Sequence, residues 1–270
     1  MNSVEFIDLL RLLPVQRAII ALIVAGSAFP IIGVWIMGLN ILPVRFAMMH
    51  VALFGIALGL LLGIEPTLIA LLVCGASGAS LAPLAHRPAG LAGPMGIVMT
   101  MAIASALLLL SQTGINANGA FELLWGSILA TRQSDLIVLV VVSIGILGVY
   151  GWQRRDIALL LYDREIALCS GIAVDRLTMG LLIIIALSIA AAVRLTGALL
   201  VDAITILPAI AARNLGQSLG SMIAWAMAIG VVGNLVGFCL TLMFNQPPGP
   251  MLVITVGCIT ILSYLRKEPV

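Results

Sequence analysis

Two ionisable side chains fall inside long apolar stretches of this 270-residue chain: His50 in RFAMMHVALFG and Asp202 in TGALLVDAITILPAIAARN. A carboxylate surrounded by apolar residues is costly unless it is paired or hydrated. Asp202 therefore either sits near an outer surface, paired with Arg194 across a turn at Gly197, or lines a hydrated ion route. The imidazole of His50 suits zinc, iron and related ions. It serves either as such a ligand or as a hydrogen-bonded packing residue. Met48 and Met49 beside it are soft enough to ligate, but methionine in such a run is ordinarily filler. Glu65 in GIEPTL either attracts cations at an outer mouth or is a solvated loop charge. His86 in AHRP reads as solvated. Cys74, Cys169, Cys239 and Cys258 lie far apart, with no metal-ligand or CxxC spacing, and read as small buried hydrophobes.

The elements that must position these residues follow from composition. The chain is 62% hydrophobic and only 9% charged, with a mean hydropathy of +1.24. Soluble domains carry roughly 25% charged residues, so lipid is the expected solvent. Apolar runs lie near 18–39, 46–63, 67–85, 94–111, 136–151, 177–193, 197–212, 220–244 and 250–264. They are continuous rather than alternating, which selects helices over a barrel. The expectation is an all-α polytopic bundle of about eight or nine transmembrane helices, forming one domain over residues 1–270.

Charge supports this parsing. Arg87, Arg154, Arg155, Arg164, Arg176, Arg213, Arg266 and Lys267 fall between or after the runs. The positive-inside rule places a 152–176 loop, the 213–218 connection and the C-terminal end in the cytoplasm, together with Arg45 and Arg87. Residues 1–16, with Arg11, are expected to lie along one face as an interfacial helix. No cleavable signal peptide is read in the N-terminal segment, which carries Glu5 and Asp8. The net charge of +2 suggests no nucleic-acid partner. Small-residue spacing at Gly55, Gly59 and Gly63, and at Gly233 and Gly237, suits close helix approach. Pro208 predicts a break or kink, either for packing or to line a pathway. No GxxxxGK[ST], HExxH or GxSxG is present. The chain therefore reads as one that does not hydrolyse ATP itself, and any enzyme chemistry would have to lie inside the membrane, where polar residues are few.

Two stretches carry a family resemblance. TGALLVDAITILPAIAARN (196–214) resembles the GALLVxALLxxPAAxA signature of permease subunits of zinc, manganese and iron ABC importers, through Gly197, Ala198, Leu199, Leu200, Val201, Ala203, Pro208, Ala209 and Ala212. YDREIALCSGI (162–172) is similar to that family's FDPExAxxxGI, through Asp163, Glu165, Ala167 and Gly171. His50 falls on a family histidine, and NQPPGPMLVITVGCITILSYLRK resembles the closing helix.

The resemblance implies a homodimeric permease of a bacterial-type inner membrane, with a fold like the cobalamin and siderophore importers. It implies two cytoplasmic ATPase subunits, which bind the ATP, and an extracytoplasmic substrate-binding protein. A transported metal ion is implied, with no permanently bound cofactor. By the same analogy residues 209–222, with Ala209, Arg213 and Gly216, form a short coupling helix, and Asp163 and Glu165 also belong to the ATPase-facing side. One departure stands out: Phe46 occupies the place of the family aspartate four residues before the histidine. Asp202, where the family has a small residue, is expected to supply the missing carboxylate opposite His50. The alternatives are a permease for a chelated or non-metal substrate, or a stand-alone secondary transporter.

Overall fold

The computed structural model describes residues 11–85, 91–113 and 128–265, with the backbone alone for 194–196, 198 and 199. Among the described residues every regular element is helical. The helices are α1 (Leu13–Gly38), α2 (Val44–Leu62), α3 (Pro66–Leu81, continued by a 3₁₀ turn Ala82–Leu84), α4 (Ala92–Gln112), α5 (Gln133–Tyr162), α6 (Arg164–Cys169), α7 (Val174–Leu215), α8 (Leu219–Phe244) and α9 (Pro248–Tyr264). Seven are long and apolar enough to cross a membrane, and α9 is a shorter apolar helix of 17 residues. The apolar runs thus map onto helices throughout.

Apolar side chains face outward at helical spacing. Ile97, Met101 and Leu108 on α4, and Ile137, Val141 and Ile144 on α5, are all exposed. Such stripes are stable only against an apolar solvent, so the protein is a multi-pass membrane protein. Two of the expected buried cysteines follow the same logic: Cys239 and Cys258 are exposed on α8 and α9, as is Cys169 on α6, and only Cys74 is buried. An apolar helix immersed in lipid has no need to turn a small hydrophobe inward.

The chain forms two compact units. One comprises the described parts of 35–124 and 147–194. Here α2 packs on both α3 and α4. Leu53 and Ala57 of α2 and Ala106 and Leu110 of α4 form a buried cluster with Phe54 and Leu109. Gly55 allows α2 to meet α3 backbone to backbone: a Cβ there would lie 2.5 Å from Ala70 Cα. Gly78 does the same for α3 against the Leu182 carbonyl of α7. A cavity of about 430 Å³, lined by Gly38–Ile41, Ala85, Leu91, Leu160–Arg164 and Thr178, gathers the α1–α2, α3–α4 and α5–α7 connections at one end. Arg45, Arg164 and Arg176 lie in the first turns of the helices that open from those connections.

The expected loop over 152–176 is largely helical. Arg154, Arg155 and Asp156 read as a connection, yet α5 continues through them to Tyr162, because Ile157 and Leu160 supply a further buried face. The helix bends at Gln153, whose φ/ψ of −107°/18° lies outside the helical range. The interfacial helix expected over 1–16 falls mostly outside the described residues, and α1 begins at Leu13.

The other unit comprises the described parts of 1–34, 125–146 and 195–270. Its helices meet through glycine. Added Cβ atoms at Gly26 and Gly230 would stand 2.7 and 2.6 Å from each other's carbonyl oxygens, clamping α1 on α8. Gly33 of α1 abuts the Thr205 carbonyl of α7. Gly233 and Gly237 of α8 receive Val256 and Leu252 of α9. Contacts this close let dispersion and backbone dipoles hold helices together where lipid removes the hydrophobic drive.

Candidate functional site

His50 lies in the second turn of α2, half-buried. Its Nδ1 stands 2.7 Å from the carbonyl oxygen of Phe46. A carbonyl only accepts, so Nδ1 carries the proton and Nε2 presents a lone pair. The Phe46 side chain is 41% exposed and points away, with the Arg45 guanidinium 4.2 Å from its ring centroid. Position 46 thus lacks a carboxylate but orients the imidazole through its backbone. Met48 and Met49 are buried in the packing of α2.

Glu65 is exposed at the N-cap of α3, where it accepts a hydrogen bond from Thr67 Oγ1 at 3.4 Å. It follows the C-terminal end of α2, so it lies at the opposite end of that helix from Arg45. Left-handed Gly63 (φ 68°) makes the turn between them.

Asp202 is half-buried on α7. The break in this helix is at Gly197, with φ 77° and ψ 164°, a conformation open essentially to glycine alone. The turn falls where the 177–193 and 197–212 runs divide, whereas Pro208, expected as a break or kink, is buried within continuing helix. A proline in a membrane helix removes one backbone donor, which neighbouring groups can offset. The side chain of Arg194 lies outside the described residues. His50 and Asp202 belong to different units. Among the described residues no group of three or more His, Cys, Asp or Glu could hold a metal ion.

The stretch 162–172 is a self-contained helical module. Asp163 Oδ1 accepts from the Glu165 and Ile166 amides at 2.7 and 3.1 Å, capping α6. Ala167 is fully buried, and Gly171 (φ 78°) closes the helix, with its amide on Leu168 O. Arg164 ties α6 to the first turn of α7 through Asp175 at 3.0 Å. Glu165 is exposed.

Residues 209–222 hold no separate helix. Ala209 to Leu215 are the last turns of α7, the chain turns at Gly216–Ser218, and α8 begins at Leu219. Ala209 and Ala212 are buried, whereas Arg213 is exposed. The turn is tight: a Cβ on Gly216 would lie 2.7 Å from Met222 N, and Ser218 caps α8 through Ser221 N at 3.2 Å. α7 runs on to Leu215 through the buried Ala209, Ala211 and Ala212, so no short helix separates.

Sequence reasoning passed over three polar residues near this turn. Asn214 Nδ2 donates to Ser263 Oγ of α9 at 2.9 Å, and Thr260 Oγ1 reaches Leu207 O at 3.0 Å. Serine and threonine in an apolar run ordinarily bond their own helix, so only an asparagine at the end of an alanine-rich segment could have signalled them.

The model of the family described as "ABC 3 transport family" matches residues 13–267. The chain is 26% identical over 225 residues to the high-affinity zinc uptake system membrane protein ZnuB of Haemophilus influenzae, covering 81% of this chain and 84% of that one. It is 24% identical over 252 residues to the manganese transport system membrane protein MntC of Listeria monocytogenes, covering 93% and 89%. Among solved structures, PsaBC from Streptococcus pneumoniae in complex with Fab shares the fold with a TM-score of 0.84 at 24% identity, covering 97% of this chain and 95% of that chain.

Proposed function

Since this chain belongs to the ABC 3 transport family, we propose that it is the membrane-spanning permease subunit of an ATP-driven importer of a divalent transition-metal ion. The observation that carries the reading is the family match over residues 13–267, which takes in every described helix. The relatives named for zinc and for manganese support the class of cargo. The chain works as a homodimer with two cytoplasmic ATPase subunits, and a binding protein delivers the ion from outside.

In this reading His50, through its Nε2 lone pair, and Asp202 are weak groups along the ion route, and Glu65 draws cations at the outer mouth. Few ligands are needed, because a tight site would trap the ion. The turn from Ala209 through Arg213 and Gly216 docks on the ATPase. Asp163 holds α6 in shape so that Glu165 faces the same partner.

The test is co-purification of an ATPase with the tagged chain, followed by uptake of zinc, manganese or iron into vesicles. Uptake that requires ATP supports the proposal; uptake without ATP, or no bound ATPase, contradicts it. A second reading, import of a chelated or organic substrate, is favoured by the exposed Phe46 ring with Arg45 over it. It predicts ATP-driven transport that no free metal ion saturates.

A further inference from the structure

Another cavity, of about 380 Å³, opens between the end of α5 and the start of α7, wholly within one unit. Asp156 of α5 and Arg176 of α7 line it together with Gln153, the residue at which α5 bends. These two side chains carry opposite charges, yet no ion pair or hydrogen bond engages either of them among the described residues. Arg164 and Asp175, their near neighbours in sequence, are by contrast joined at 3.0 Å. Beyond the charges the walls are apolar, with Leu177, Leu181 and Ile184 on α7 and Val149 on α5. Gly180 leaves a gap in the α7 wall, where an added Cβ would meet nothing within 4 Å.

Polarity is graded along the cavity. Ile184 lies two turns beyond Arg176, about 12 Å at the helical rise, inside the stretch Val174–Val193 that is long and apolar enough to cross a membrane. Trp152 is 87% exposed, and Arg154 and Arg155 beside it are exposed too. Tryptophan and arginine collect at the membrane–water boundary, which sets the level of the cavity mouth. A water-soluble partner could meet that mouth but not the apolar end. A phospholipid has a part for each. The two charges call for a headgroup of both signs, with a phosphate for Arg176 and an ammonium for Asp156. Among the described residues no aromatic ring lines the cavity, so a quaternary ammonium finds no cage there. A carboxylate accepts N–H bonds from a primary ammonium instead. A purely anionic headgroup would face Asp156 with like charge.

We propose that this cavity binds a membrane phospholipid with a phosphoethanolamine headgroup. The phosphate lies against Arg176, the ammonium against Asp156, and an acyl chain passes over Gly180 along Leu181 and Ile184. The bound lipid ties α5, at its bend, to the first turns of α7. The site depends only on the membrane setting, whatever the cargo of the protein.

The full-length chain, purified in a mild detergent and stripped of lipid, is titrated with phosphatidylethanolamine, phosphatidylglycerol or phosphatidylcholine of identical acyl chains. Native mass spectrometry counts the lipid bound. Phosphatidylethanolamine is expected to bind about tenfold more tightly than either of the others. Arg176→Gln is expected to weaken binding of both phosphatidylethanolamine and phosphatidylglycerol. Asp156→Asn is expected to weaken phosphatidylethanolamine alone, so that its preference over phosphatidylglycerol disappears. Gly180→Leu fills the groove and is expected to abolish tight binding without touching either charge. Both charge variants are expected to fold, because neither side chain bonds within the described protein. If Gly180→Leu does not fold, they decide alone. Equal binding of the three lipids by the unmodified chain overturns the site, and so does an unchanged preference in both charge variants. Displacement of the lipid by soluble phosphoethanolamine at equal concentration also overturns it, since the acyl chain would then contribute nothing.

Discussion

The Nδ1 atom of His50 stands 2.7 Å from the carbonyl oxygen of Phe46, the residue one helical turn earlier on α2. That bond fixes the ring and leaves Nε2 available. Replacing His50 with alanine is therefore expected to lower metal uptake by about tenfold or more without changing the yield of folded protein. Radiometal uptake beside a size-exclusion profile checks this. Phe46→Asp adds a carboxylate on the same helix face and is expected to lower KM for the ion while slowing release.

Gly197 carries φ 77° and ψ 164° in the middle of α7. Gly197→Ala forces a Cβ into that conformation, at a cost of about 1–3 kcal/mol. A lowered thermal midpoint of the detergent-solubilised protein is the expected readout. Pro208→Ala, within regular helix, is expected to move the midpoint far less.

The clamp between Gly26 and Gly230 leaves no space for a side chain, whereas Gly257 on α9 has nothing within 4 Å of an added Cβ. Gly230→Val is expected to abolish most of the folded yield, and Gly257→Ala to leave it near the wild-type level. Fluorescence-detected size exclusion of tagged variants separates the two.

Asp163 spends one carboxylate oxygen on the amides of Glu165 and Ile166. Asp163→Ala should destabilise α6 locally by about 1 kcal/mol, and Asp163→Asn by much less. Hydrogen exchange at those two amides is expected to quicken only in the alanine variant.

The spans were legible because a membrane imposes long apolar runs: the nine runs fall on α1–α5 and α7–α9, with 177–193 and 197–212 together in α7 and the 136–151 run extended to Tyr162 in α5. Punctuation was harder to read. Pro208 predicted a break or kink but lies within regular helix, since a membrane helix tolerates one missing donor, and the chain turns at Gly197, where the sequence also offered a turn between the 177–193 and 197–212 runs. Arg154, Arg155 and Asp156 looked like a loop, but charged residues sit comfortably on a helix that leaves the bilayer with Ile157 and Leu160 still buried. At the candidate site, the type of His50 was readable and its tautomer was not, because the partner is a backbone carbonyl that every residue possesses. The Asn214–Ser263 contact joins residues 49 positions apart, which no local pattern announces.

The most direct test of metal import is the elemental content of cells lacking this gene, measured by mass spectrometry during growth with a mild chelator. A selective fall in zinc, manganese or iron, restored by the intact gene and not by His50→Ala, is the predicted result. Unchanged levels of all three metals would contradict the assignment of a metal cargo.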